Sequence, residues 1–292
     1  MMRGMYSAIA GLQAHQTMLD VTANNLANVD TVGYKAQRTT FVDQLSQELA
    51  GASGVTLNNG GTNPVQVGLG VQVGSIDSLM GQGAMQQTNN ATDVAVQGEG
   101  WFRVGFGTPP ALPNNLQYTR SGDMTFNTKG YMTTQNGMYV IGRDSVPSGS
   151  APNITYTPGT TDTYIVVPPG STGVAIGQDG GVTYVDQNPA NATYQQRVTA
   201  GYLSLATFPN QAGLEHLGGS LWASDANTGL PTVNTPGVNG MGNTISGELE
   251  QSNVDMATEF TNMITAQRGY QANSRAISTA DQMLQTLVQM GQ

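Results

Sequence analysis

Apolar residues recur every three and four positions at both ends of the chain, and at every second position through its middle. From Met256 the four-three step lands on Met256, Phe260, Met263, Gln267, Tyr270, Ser274, Ile277, Asp281, Leu284 and Val288. Most of these are apolar, and the spacing is that of a coiled-coil seam. Within the C-terminal run from Gly247 to Met290, Ser252 or Asn253 is the expected N-cap, and Asp255 and Glu259 add negative charge to the first turn. No Pro interrupts, and the lone Gly269 costs roughly 1 kcal/mol. The pattern predicts one helix of about 35 residues, about 50 Å long.

The same stepping from Met5 gives Met5, Ile9, Leu12, Gln16, Leu19, Ala23 and Leu26, with only Gln16 polar. This second helix is expected to stop between Asn24 and Gly33, where Asn, Asp and Gly favour turns. Two helices with matching seams, one from each end, predict that the ends pair. The plainer reading is two amphipathic helices, each packed on a globular core. Gln16 and Gln267, mid-seam, are placed to set register if buried.

Between the helices the pattern changes several times. Phe41, Val42, Leu45 and Leu49 suit a short helix within 34–49. Residues 51–83, rich in Gly, are too long for an ordinary loop and read as an extended connector, strand-like from Val71 to Ile76. From Asp93 the period is two. Asp93–Val96, a Gly98-Glu99-Gly100 turn and Trp101–Val104 read as a hairpin. Asn136-Gly137, between two short apolar runs, is a second hairpin signal. Residues 146–162 read as a surface excursion, and further strands are expected at 164–167, 174–176, 182–185 and 202–208. The fold class is therefore α+β: long terminal helices forming a coiled-coil-like domain, with a central, mostly antiparallel β domain. The expected divisions are a helical part at 1–50, a connector at 51–85, the β domain at 86–230, a connector at 231–246 and a helical part at 247–292.

Composition sharpens this picture. Of 292 residues only 10% are charged, and 38 are Gly, which fits a turn-rich protein with a polar, weakly charged surface. Such a surface does little to oppose close packing of many copies. The net charge of −9, with ten scattered Lys and Arg, leaves no basic stripe for nucleic acid. There is no Cys, hence no disulfide or thiolate metal site. The N-terminal segment lacks the apolar run of a cleaved secretory signal, and no 18-residue apolar stretch predicts a membrane span.

Candidate chemistry is sparse. His15 and His216 lack a second His at ligand spacing. Gly68–Gly74 reads G-x-G-x-x-x-G, one residue off the dinucleotide pattern, and opens no helix. Glu248 and Glu250 read as the acidic start of the C-terminal helix rather than a catalytic pair. Asn90-Ala91-Thr92, Asn153-Ile154-Thr155 and Asn191-Ala192-Thr193 match a glycosylation triplet that arises often by chance. No catalytic, cofactor or metal residues are expected.

Several runs, in order along nearly the whole chain, resemble the axial proteins of the bacterial flagellum, the rod and hook group. They are Ser7 to Leu12, Ala23 to Lys35, Asp93 to Phe102, Tyr118 to Gly122, Ala206 to Asn210, Leu249 to Asp255 and Ala266 to Asn273. Residues 60–70 and 257–275 are most similar to hook proteins of a short type, while the β domain, including Ile176 to Gly180, is also similar to the distal rod protein. The resemblance implies a structural subunit exported without a cleaved signal by the flagellar type III apparatus, which polymerises helically into a hollow tube. Its implied partners are further copies of itself and neighbouring rod, hook-cap and hook–filament junction proteins, with no cofactor, nucleic acid or membrane insertion. The expectation is a hook subunit that transmits torque. The alternatives are a distal rod subunit or, from another class, a secreted adhesive or carbohydrate-binding β protein. The residues expected to pack between subunits are Met5, Ile9, Leu12, Leu19 and Leu26 against Phe260, Met263, Tyr270, Ile277, Leu284 and Val288.

Overall fold

The computed structural model describes residues 2–52, 54, 60–107, 109, 112–113, 115–148, 155–189, 191 and 193–290. They form two compact units. The first comprises Met1–Asn28, Ala36–Leu79 and Val254–Gln292, and the second Val29–Lys35 and Met80–Asn253.

The first unit is built on two helices, α1 (Met2–Ala27) and α2 (Met256–Met290). They pack antiparallel, since Gly11 meets Asn273, His15 meets Gly269 and Asn25 meets Glu259. The cap of α2 is Asp255 rather than Ser252 or Asn253. Its Oδ1 accepts the Ala257 N–H at 2.9 Å and its Oδ2 the Thr258 hydroxyl at 2.9 Å. Strands β1 (Gln37–Asp43), β2 (Ser46–Ala50), β3 (Val65–Gly68) and β4 (Val71–Ser78) complete this unit. β1 pairs antiparallel with β4 and β2 with β3. The helix expected within 34–49 is thus two strands. Apolar residues at 41, 42, 45 and 49 satisfy a helical period, but the run Thr39-Thr40-Phe41-Val42 is rich in β-branched and aromatic residues. It finds a partner in Val71-Gln72-Val73, and pairing overrides the short periodicity. The same pairing draws much of the expected connector into ordered ribbons.

The second unit is almost entirely β. Its strands are β5 (Met85–Gln87), β6 (Val94–Gln97), β7 (Trp101–Gly105), β8 (Leu116–Thr119), β9 (Met124–Phe126), β10 (Met132–Thr134), β11 (Tyr139–Ser148) and β12 (Thr155–Tyr164). Then come β13 (Thr172–Ile176), β14 (Gly181–Val185), β15 (Arg197–Leu203), β16 (Leu205–Thr207), β17 (Glu215–Gly218), β18 (Leu221–Ala223), β19 (Thr232–Asn234), β20 (Asn243–Ser246) and β21 (Glu248–Glu250). Thirteen of them form one sheet, whose main path runs β13-β14-β15-β11-β7-β8-β18-β17. All the pairings are antiparallel, and β20–β6 and β21–β5 form separate two-stranded ladders. The α+β expectation holds at this level.

Four local expectations change. β6 and β7 are not a hairpin. Gly98 and Gly100, at φ 108° and 141°, turn the chain away, so that β6 pairs with β20, while β7 pairs with β8, β11 and β16. The excursion at 146–162 is the outer part of the β11–β12 hairpin, with 149–154 outside the described residues. The second connector holds β19, paired with β16, and leads into β20. Glu248–Glu250 is strand β21 rather than the start of α2. The Asn136-Gly137 hairpin does form, with Thr133 opposite Tyr139 and Gly137 at φ 75°.

Two apolar clusters make the core of this unit, and β7 belongs to both. Phe102 and Val104 join Val96, Met124, Met138, Ile165, Leu203 and Leu205. Trp101 points to the other face, with Tyr118, Ala206, Phe208 and Trp222. Arg103, on the Trp101 side, is buried too, and is held by Ser204 at 3.0 Å and Asp162 at 2.8 Å. A strand buried on both faces loses the polar alternation of a half-exposed one.

Candidate assembly surface

The predicted seam residues take two kinds of position. Met5, Leu12, Leu19 and Leu26 on α1, and Met263, Tyr270, Ile277 and Leu284 on α2, are half-buried. Ile9 is exposed, as are Phe260 at 50% and Val288 at 63%. The line of deepest burial lies to one side of the seam, on Ala8, Gly11, Ala14, Val21 and Asn25 of α1 and on Glu259 and Ala266 of α2. A Cβ on Gly11 would stand 2.6 Å from Asn273 Nδ2, and one on Gly269 would stand 2.5 Å from His15 Nε2. The two glycines therefore make room for Asn273 and His15 of the facing helix, and the long apolar side chains fall to the flanks. Gln16 and Gln267 are exposed, so neither sets register within this pair.

That shift leaves apolar surface in water. Met256, Phe260 and Ile264 follow one another at four-residue steps on α2, and Met283, Leu287, Val288 and Met290 are exposed near its end. Leu45, Leu49, Val65 and Val67 are exposed on the β2–β3 ribbon. An isolated two-stranded ribbon is marginal in water, and exposed apolar patches of this extent mark interaction surfaces.

Two polar clusters escaped the sequence reading. In the first unit Asn25, wholly buried, donates to the Gln37 carbonyl at 2.7 Å and accepts the Gln37 N–H at 2.9 Å. It also reaches Glu259 Oε1 at 3.2 Å, tying α1, β1 and α2 together. Burial pushes the Glu259 carboxyl above the ordinary range, Asn25 and Asn262 pull the other way, and Asp255 adds to the rise. In the second unit Glu250 is wholly buried. It accepts Lys35 Nζ at 2.6 Å, Arg120 at 3.3 Å and the Gly83 N–H at 2.9 Å. Burial draws the Lys35 ammonium down, with Glu250 opposing. Gly33, at φ 69°, brings its N–H to the Glu250 carbonyl at 2.8 Å, and a Cβ there would collide with the Arg120–Ser121 backbone. The Arg120 guanidinium also lies 5.4 Å over Trp101. The available signal was an Asn inside an apolar-periodic helix, where it is a poor former. Nothing local marked the Lys35–Glu250 pair.

The histidines do not converge. His15 packs beside Phe41 and His216 against Trp222, and burial pulls His216 below its usual range. Among the described residues no group of three or more His, Cys, Asp or Glu is placed to hold a metal ion, and no helix is long and apolar enough to cross a membrane.

Three family models match the chain. Residues 5–35 match a model described as flagella basal body rod protein, residues 95–184 the flagellar hook protein FlgE/F/G D1 domain, and residues 245–290 the flagellar basal body rod FlgEFG protein C-terminal region. The flagellar basal-body rod protein FlgG of Bacillus subtilis (strain 168) is 39% identical over 291 residues, covering 99% of both chains. The chain belongs to the flagellar rod and hook protein family. Membership makes it a structural component of the rod and hook region of the flagellar basal body. Two relatives from one organism, Borreliella burgdorferi, separate the members of the family. Its rod protein FlgG is 33% identical over 288 residues, covering 97% of each chain. Its hook protein FlgE is 28% identical over 446 aligned positions, covering 99% of this chain and all of that one. The hook protein therefore aligns only with long insertions, and these comparisons favour the rod alternative over the expected hook.

Proposed function

We propose that the chain is the distal rod subunit, polymerising helically through its terminal helices into a hollow rod. The observation that carries the rod reading is the same-organism comparison. The rod protein aligns over 288 positions that cover 97% of each chain, whereas the hook protein needs 446 positions to align with a chain of 292. The apolar surface of unit 1 supports the assembly reading. The flanking residues Met5, Leu12, Leu19, Leu26, Met263, Tyr270, Ile277 and Leu284 are half-covered in the single chain, and Ile9, Phe260 and Val288 are open. A neighbour's helix laid against them completes a coiled-coil-like seam, and a head-to-tail contact that does not close grows a helix of copies. Met2–Ala27 and Met256–Met290 supply the helices of this core. Residues 80–253 supply the β domain, and the ribbons of residues 36–79 belong with the helices. Rod, hook-cap and hook–filament junction proteins are the expected neighbours, and the flagellar type III apparatus the export route.

Electron microscopy of basal bodies from a strain lacking this chain tests the assignment. A distal rod subunit predicts particles without distal rod and without hook. Complete rods that merely lack a hook would return the assignment to the hook.

A further inference from the structure

The α1–α2 contact contains an acid that no cation balances. Glu259 is 9% exposed. Its Oε1 takes the Asn25 amide, and its Oε2 is buried without a hydrogen-bond partner. The ion pairs among the described residues, Lys35–Glu250, Arg38–Asp77, Arg103–Asp162 and Arg120–Glu250, all lie elsewhere. α1 and β1 approach the carboxyl with uncharged Asn25 and Gln37. The charge that acts on it is Asp255, of the same sign and one turn back on α2.

We propose that docking of α1 on α2 takes up a proton at Glu259, so that the helix pair closes more tightly as the pH falls into the range where this carboxyl is protonated. An ionised carboxylate in this contact loses much of its water and receives in return only the side-chain amides of Asn25 and Asn262, which do not outweigh the burial, whereas the neutral acid gives up far less on burial. Burial raises this group's affinity for a proton. A carboxyl raised in the folded state binds more protons there than in the open chain. Its contribution is full below the ordinary carboxylate value and is lost as the pH rises through the raised one. This is the reverse of an acid-labile carboxylate. The inference concerns the helix pair itself and stands whether the chain builds rod or hook.

The test is amide hydrogen exchange of α1 in the full-length chain, from pH 4 to 7.5, corrected for intrinsic rates, with Glu259→Gln for comparison. Gln keeps an acceptor for Asn25 and removes the charge. His15, which packs on Gly269 further along the same contact, is common to both chains, so their difference isolates the carboxyl. Wild-type protection of Ala14 to Asn25 is expected to fall with rising pH, by up to about tenfold for each pKa unit of rise. In Glu259→Gln it stays flat and exceeds the wild type at pH 7.5. A wild-type profile that is flat or of opposite slope, an identical slope in the variant, or lower protection in the variant at every pH would overturn the proposal. If Glu259→Gln does not fold, carbon NMR titration of the Glu259 carboxyl in the wild-type chain decides. A midpoint above the ordinary carboxylate range supports the proposal, and one at or below it refutes it.

Discussion

Glu250 shows how much a single side chain decides. It lies between Lys35 and Arg120 with no access to water, and it also receives the Gly83 N–H. Glu250→Gln removes the carboxylate paired with both buried cations, and breaking a buried pair in this way costs about 3–5 kcal/mol. Urea unfolding should show that loss in the transition of the β unit, and a change below about 1 kcal/mol would mean that the cluster is incidental. Gly122 makes a second residue-scale case. A Cβ there runs into the Val94 carbonyl, which is backbone and cannot swing aside. Gly122→Ala should destabilise the β unit by about 3 kcal/mol, whereas Gly137→Ala, with open space around its Cβ, pays only for its positive φ of 75°. Neither the ion cluster nor the glycine was legible in the sequence. Glu250 stood among acidic residues just before a helix, which suggests a helix start, and its cation Lys35 is 215 positions away. A group's partner across the fold has no local signature.

Among elements, the long helices were the most legible. Their period persists over many turns, so no short competitor outweighs it, and α2 spans Met256–Met290 as its pattern predicts. The face that packs was read less well, because the seam was drawn through the largest apolar residues. The deepest burial runs instead through Gly11, Ala14 and Ala266, and Gly11 and Gly269 leave room for the Asn273 and His15 side chains of the facing helix. The short segments failed for the opposite reason: residues 37–50 carry too few periods to distinguish a helix from a strand, and pairing with 65–78 decided it. The cap of α2 yields a test at this scale. Asp255 is held below the ordinary carboxylate range, first by the Thr258 hydroxyl and then by the backbone N–H groups of Ala257 and Thr258. A carboxyl depressed in the folded state contributes fully above its ordinary value, and the contribution is lost as the pH falls through the depressed one. The first turn of α2 should therefore fray in acid, and Asp255→Ala should fray it at every pH. Amide exchange at Ala257 to Glu259 reads this directly, and equal protection in Asp255→Ala and wild type at neutral pH would contradict the capping role.

For the whole molecule, surface and family agree. A chain with 10% charged residues and no cysteine leaves apolar side chains in water on its helices and on a two-stranded ribbon. The family to which it belongs is structural, in the flagellar rod and hook. The family was legible because its motifs recur along nearly the whole chain. The member was not, since the motifs are those of rod and hook proteins alike, and what separates the two Borreliella burgdorferi relatives is the length of the alignment. The most direct measurement is electron cryomicroscopy of isolated rods built from this chain, at a resolution that traces α1 and α2. The account predicts both helices in the wall of the tube, with Phe260, Leu287 and Val288 buried against neighbouring copies. Copies joined through the β units alone, with those three side chains still facing solvent, would contradict it.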